Sequence, residues 1–270
     1  VSPAIQRILE QAMMAAQYPD TNVLITGESG TGKENIVRII HFGSSRKKNL
    51  FCAVNSSAIT DSLLESEFFG HKKGSFTGAI SDKKGFFEIS DEGTLFLDEI
   101  ADMPLNLQAK ILRSIEEKVI TRVGDTVPIK TNFRIISATN YSLDSMVKEK
   151  RFRLDLLHRL NTLQIHISPL RERTEDIKPL IESFVSEFAQ KMNKPIPGIS
   201  KSIVDELSNY SFPGNVRELR NMVERAIIFS KGDKLTIEDF IVYTRTSAPP
   251  SSPPAQTESL SDFQVKEKQF

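Results

Sequence analysis

Gly27-Glu28-Ser29-Gly30-Thr31-Gly32-Lys33 stands directly behind the apolar run Val23-Leu24-Ile25-Thr26 and opens a stretch with helical spacing. Glycines let backbone N–H groups curl around phosphate oxygens, and the helix that follows offers its positive end. Lys33 adds a point charge for the β- and γ-phosphates. The bare spacing arises by chance in some chains; the strand before and the helix after are what make it a phosphate cradle. Further apolar runs follow at 51–55, 94–98, 133–139 and 163–167. Most are continuously apolar and do not alternate, which predicts strands buried on both faces of a parallel sheet. The segments between them are long enough for crossover helices. From about residue 171 the strand signals stop. Helical spacing takes over at 175–192, 200–210 and 216–230, punctuated by Pro197-Gly198 and Pro213-Gly214. The predicted fold class is an α/β domain over 1–170 with a small helical domain over 171–245.

Composition narrows the function. The chain has 270 residues with Lys+Arg 35 against Asp+Glu 35. A net charge of zero argues against a surface that grips nucleic acid everywhere by phosphate neutralisation. One cysteine, Cys52, excludes an internal disulfide framework and a Cys-rich zinc site. It reads as a small core residue, and the pair Met13-Met14 as core packing of a first amphipathic helix. His41, His71, His158 and His166 show no metal-ligand spacing. No apolar run approaches the roughly 20 residues that span a bilayer. Residues 246–259, TSAPPSSPPAQTES, hold no large apolar side chain and read as an extended linker. Helical spacing returns in LSDFQVKEKQF, 260–270, as the start of a further domain. The opening Val1-Ser2-Pro3 is neither a start methionine nor a leader, so the sequence reads as a cytoplasmic piece of a longer polypeptide.

Gly93-Thr94-Leu95-Phe96-Leu97-Asp98-Glu99 is an apolar strand ending in two acids, a Walker B pattern beside the Walker A loop. Asp98 would hold Mg²⁺ and Glu99 would orient or deprotonate the attacking water. The general Walker A pattern ends in Ser or Thr, whose hydroxyl ligates the metal. Here that residue is Glu34, so metal binding leans on Asp98 and on water.

GESGTGKE (27–34), GTLFLDE (93–99) and FFGHKKGSFTGA (68–79) together resemble the AAA+ ATPase domain of bacterial sigma-54-dependent transcriptional activators, the enhancer-binding proteins. The similarity runs on through LQAKILRSIEEKVITRVG (107–124), FRLDLLHRL (152–160), PLRER (169–173) and FPGNVRELRN (212–221), covering about residues 1–245 in order. It implies an AAA+ P-loop NTPase with a helical lid, binding ATP and Mg²⁺ and hydrolysing ATP in a hexameric ring. Gly74-Ser75-Phe76-Thr77-Gly78-Ala79 matches the loop that grips sigma-54, with Ser75 where the family has Ala and Lys72 where an acid is common. Asn55 resembles the switch asparagine that holds the Walker B glutamate. Thr139 and Asn140 resemble sensor I, and Arg217 resembles sensor II. Arg153 and Arg159 match arginine fingers inserted into the neighbouring subunit's site; six residues apart, they do not share one face of an ideal helix. The run Arg171-Glu172-Arg173 reads as tying the two domains together.

The implied activity is ATP-driven remodelling of sigma-54 RNA polymerase holoenzyme. DNA would be contacted only through a C-terminal domain that begins beyond the linker. The alternatives are an AAA+ ATPase acting on another protein, or an ATP-binding regulator without turnover.

Overall fold

The computed structural model describes residues 2–230 and 234–240. The expected linker at 246–259 and the helical start at 260–270 lie outside the described residues, as do the last positions of the 171–245 segment. Helix α1 (Pro3–Gln17) is set by Ser2, whose Oγ accepts from Ile5 N, with proline in the first turn. Its buried stripe is Ile8, Ala12, Ala15 and Ala16. Met13 and Met14 fall off that stripe and are 53% and 59% exposed, so they do not pack in the core as expected. Strand β1 (Val23–Thr26), helix α2 (Lys33–Phe42), strand β2 (Phe51–Asn55) and helix α3 (Asp61–Phe69) follow.

A hairpin of β3 (Gly70–His71) and β4 (Lys83–Lys84) then leaves the domain, and α4 (Phe86–Ile89) returns from it. Its neck is a backbone crossing. A Cβ added at Gly70 would meet Lys83 O at 2.3 Å, and one added at Gly85 would meet Gly70 N at 2.3 Å. Strand β5 (Thr94–Asp98) and helix α5 (Leu105–Glu117) precede a second hairpin, β6 (Val119–Ile120) with β7 (Ile129–Lys130). Strand β8 (Arg134–Thr139), helices α6 (Leu143–Lys148) and α7 (Leu154–Leu160) and strand β9 (Leu163–His166) complete the domain.

Among the described residues one five-stranded sheet forms, in the order β2-β5-β8-β1-β9, with every pair parallel. Leu24, Leu95, Leu97 and Ile135 face a core with Phe68, Phe87 and Phe133. Val23, Ile25, Phe96 and Ile136 face the opposite core with α1 and α2. Both faces are covered, which is why the strands read as continuous apolar runs. The exceptions are the sheet's edges: β2 and β9 are only partly buried, and Cys52 on β2 is half-buried at a core margin. Arg134, wholly buried, donates to Ala15 O (2.8 Å) and Thr21 O (3.2 Å) and so ties the end of α1 to the start of β8.

The register decides where chemistry can occur. Thr26 lies beside Thr139, and Asn55 beside Asp98, so the phosphate loop and the acid pair emerge at one edge of the sheet.

The helical domain comprises α8 (Ile177–Lys191), β10 (Gly198–Ile199), α9 (Lys201–Ser208), α10 (Asn215–Phe229) and β11 (Lys234–Leu235), around its own core of Ile181, Val185, Leu207, Leu219 and Val223. Among the described residues no helix is long and apolar enough to cross a membrane.

Candidate nucleotide site

Residues 27–33 wrap the start of α2. Gly32, at φ 100°, is the residue before its first turn, and no side chain caps the helix's free N–H groups. Anions bind such an end. Lys33 is buried, and its Nζ donates to Gly27 O (2.8 Å) and Glu28 O (3.3 Å) of its own loop. Burial pushes its ammonium down from the usual lysine range, while Glu99 and Asp98 push it back up.

The loop opens on a cleft of about 640 Å³ whose walls include Lys33, Asp98, Glu99 and, from the helical domain, Arg217 and Arg220. Arg217 Nη1 donates to Ser29 Oγ at 3.2 Å. Burial pushes both acids above the ordinary carboxylate range. Asp98 Oδ1 accepts from Glu99 N at 3.1 Å. Glu99 sits in a left-handed conformation (φ 51°), and its Oε2 is buried with no hydrogen-bond partner among the described residues. A strained backbone and an unsatisfied buried carboxylate oxygen at one residue mark a place where stability yields to chemistry. Glu34 also lines the cleft, but its carboxylate is drawn aside to Arg38 at 2.7 Å. Among the described residues no cluster of three or more His, Cys, Asp and Glu could hold a metal ion by itself. A cation here would rest on Asp98, phosphate and water. The residues fit that: two desolvated carboxyls, one with an orphaned oxygen, share the cleft with Lys33, Arg217 and Arg220.

The remaining candidates are distributed unevenly. Thr139 is buried, and its Oγ1 accepts from Tyr141 N (3.0 Å). The Asn140 N–H lowers Glu99, whereas the residue itself lines a separate cavity of about 300 Å³ with Thr26 and His166. Asn55 Oδ1 accepts from Ser57 N (2.9 Å) and Ser57 Oγ (2.7 Å), a turn-forming role beside Asp98. Arg153 precedes α7 and pairs with Asp155 (2.6 Å), and Arg159 lies in the last turn of α7. Neither enters the cleft of its own chain.

Residues 74–79 form the tip of the first hairpin, held by Gly74 N→Ala79 O (2.8 Å) and Ala79 N→Phe76 O (3.0 Å). Phe76 is 39% exposed, with its ring edge against His71 at 5.0 Å, and Thr77 is exposed. Lys72, in its unusual position, pairs with Asp82 (2.9 Å) and, at 3.9 Å, with Asp125 from the second hairpin.

Sequence reading missed the residues behind the loop. Arg171 forms a double hydrogen bond with Glu28 (2.8 and 2.6 Å), holding that carboxyl down at about 2. Arg173 donates to Thr31 O at 3.0 Å, and Asn215 donates to both Glu28 and Ser29. The expected tie between domains is therefore a grip on the phosphate loop itself. Asn215 was visible as the residue after Pro213-Gly214, a signal for a turn, and within the family-like stretch 212–221, but nothing assigned it a role at the loop.

Residues 1–166 match the family described as the sigma-54 interaction domain, and 171–257 that described as the AAA+ ATPase lid domain. The chain is 47% identical over 236 residues to the DNA-binding transcriptional activator HyfR of Escherichia coli, covering 87% of this chain and 35% of HyfR. It is 47% identical to the alginate biosynthesis transcriptional regulatory protein AlgB of Pseudomonas putida, covering 87% of this chain and 52% of that protein. The chain thus spans from about a third to a half of these curated relatives. NtrX from Brucella abortus, solved in complex with ATP, superimposes with a TM-score of 0.81 at 37% identity, over 89% of this chain and 55% of NtrX.

Proposed function

This chain belongs to the sigma-54 interaction family of AAA+ ATPase domains, and from that membership we propose that it hydrolyses ATP to remodel sigma-54 RNA polymerase holoenzyme and open promoter DNA. The observation that carries the reading is the cleft in which Lys33, Asp98, Glu99 and the lid's Arg217 converge. The N–H groups of 27–33 bind the phosphates, and Lys33 exchanges its loop carbonyls for phosphate oxygens. Asp98 would hold Mg²⁺, which would supply neutralisation of the phosphate charge. Glu99 Oε2 orients a water and takes its proton as the water oxygen bonds to the γ-phosphorus and the bond to the β,γ-bridging oxygen breaks. The products are ADP and phosphate. Thr139, Asn140 and Arg217 report the nucleotide to the rest of the fold.

Arg153 and Arg159, outside their own cleft, serve a neighbouring copy in a ring, which the family's resemblance makes a hexamer. The tip at 74–79 grips sigma-54. Burying Phe76 in that partner is worth roughly 1.5–3 kcal/mol, enough to anchor and weak enough to release. DNA contact belongs to a domain beyond the residues described.

The test is open-complex formation on sigma-54 holoenzyme with ATP, using this chain at high concentration. Wild type is expected to support it and Lys33→Ala to fail. Thr77→Ala should keep ATP hydrolysis and lose transcription; persistent transcription would sink the loop assignment.

A further inference from the structure

The geometry points to Asn215 and Arg173 as positioning residues that aim individual N–H groups of the phosphate loop, so that the lid sets the shape of the cradle; this rests on reading 27–33 as the phosphate site. Asn215 is fully buried at the first position of α10, in a left-handed conformation (φ 51°) that asparagine tolerates. Its side chain is spent completely. Oδ1 accepts from Leu170 N (2.8 Å), and Nδ2 donates to Glu28 Oε2 (3.1 Å) and Ser29 O (3.0 Å).

The bond to Ser29 O is the one with consequences. The Ser29 C=O and the Gly30 N–H belong to one rigid trans peptide plane and point in opposite directions. Holding the carbonyl on the lid side turns the Gly30 N–H away from the lid residue and toward the phosphate side of the loop. Arg173, buried, does the same one plane further on. Its Nη2 takes Thr31 O (3.0 Å) and so fixes the direction of the Gly32 N–H. Arg173 is itself held by Ser168 O (3.0 Å) and paired with Asp176 (3.7 Å). The lid therefore presses close: a Cβ on Gly30 would lie 2.3 Å from Gly214 O.

The arrangement makes a residue-specific prediction that a merely structural role does not. In an amide proton–nitrogen titration with ADP, the Gly30 and Gly32 amides of the unsubstituted chain should both shift. Asn215→Asp removes both donors and sets a carboxylate against Glu28. It should weaken ADP binding about tenfold and at least halve the Gly30 response, leaving that of Gly32. Arg173→Gln should do the reverse. Wild-type responses in a folded variant, or equal loss at both glycines, would overturn the inference. Should a buried variant fail to fold, Glu28→Gln loosens the same grip from its exposed side and should weaken ADP binding about threefold; unchanged affinity there overturns it too. If the unsubstituted chain binds ADP no better than Lys33→Ala, the nucleotide reading has failed instead, and the two failures are distinct.

Discussion

The two sides of the phosphate loop follow opposite rules. On the lid side Asn215, Arg171 and Arg173 satisfy the loop's outward carbonyls and the Glu28 carboxyl with short hydrogen bonds. On the cleft side, among the described residues, Glu99 Oε2 has no partner, both acids are driven up by burial, and Lys33 donates to carbonyls of its own loop. One face is finished and the other is waiting for charge. A binding loop needs both, because a cradle that is not fixed from behind cannot present its donors in a fixed direction.

The contrast can be broken most severely from the cleft. Glu99→Gln should slow ATP hydrolysis by roughly 10²–10⁴-fold, the range for losing a general base, while ATP still binds. A steady-state assay beside a binding titration checks it, and hydrolysis within tenfold of wild type would remove Glu99 from its role. From the other side, Gly30→Ala places a Cβ 2.3 Å from Gly214 O at a residue with φ 78°. The left-handed backbone alone costs about 1–3 kcal/mol and the collision with Gly214 O adds to it, which a thermal melt should show along with weaker ADP binding.

A smaller effect sharpens the comparison through its sign. Glu28 titrates at about 2 when folded, against an ordinary value of about 4.3. It stabilises the fold above the ordinary value, and that contribution is lost as pH falls toward 2. Glu99 is shifted upward, so its contribution is full at low pH and is lost as pH rises through the raised value. Glu28→Gln should therefore flatten the acid limb of stability, and Glu99→Gln should remove a decline on its far side. Equal pH profiles for the two variants would erase the distinction. Smallest of all, Arg171→Ala, at an exposed pair, should leave the melting temperature nearly unchanged at neutral pH.

What could be read from the sequence was what local pattern determines. Leu95, Phe96 and Leu97 announce a strand covered on both faces, and the loop at 27–33 announces its phosphate chemistry by spacing. The two-residue strands at 70–71, 83–84, 119–120 and 129–130 carry no such signal, because a partner across the hairpin defines them. Met13 and Met14 show the limit of composition: they are apolar, but Ala12, Ala15 and Ala16 hold the inward face because α1 packs closely. Asn215 and Arg173 were illegible as site residues for another reason. The function we assign them lies in which carbonyl they touch, and that is fixed only when the lid and the phosphate loop meet.

The neck at Gly70 and Gly85 carries a last consequence. Side chains at either glycine would collide with backbone at that crossing, and residues 72–82 are braced instead by the second hairpin, through Lys72 N on Val123 O (3.0 Å) and Arg122 beside Asp82 (3.7 Å). If the tip is the partner contact we propose, the narrow neck and this brace together set where it stands, and the neck glycines hold it apart from the nucleotide cleft.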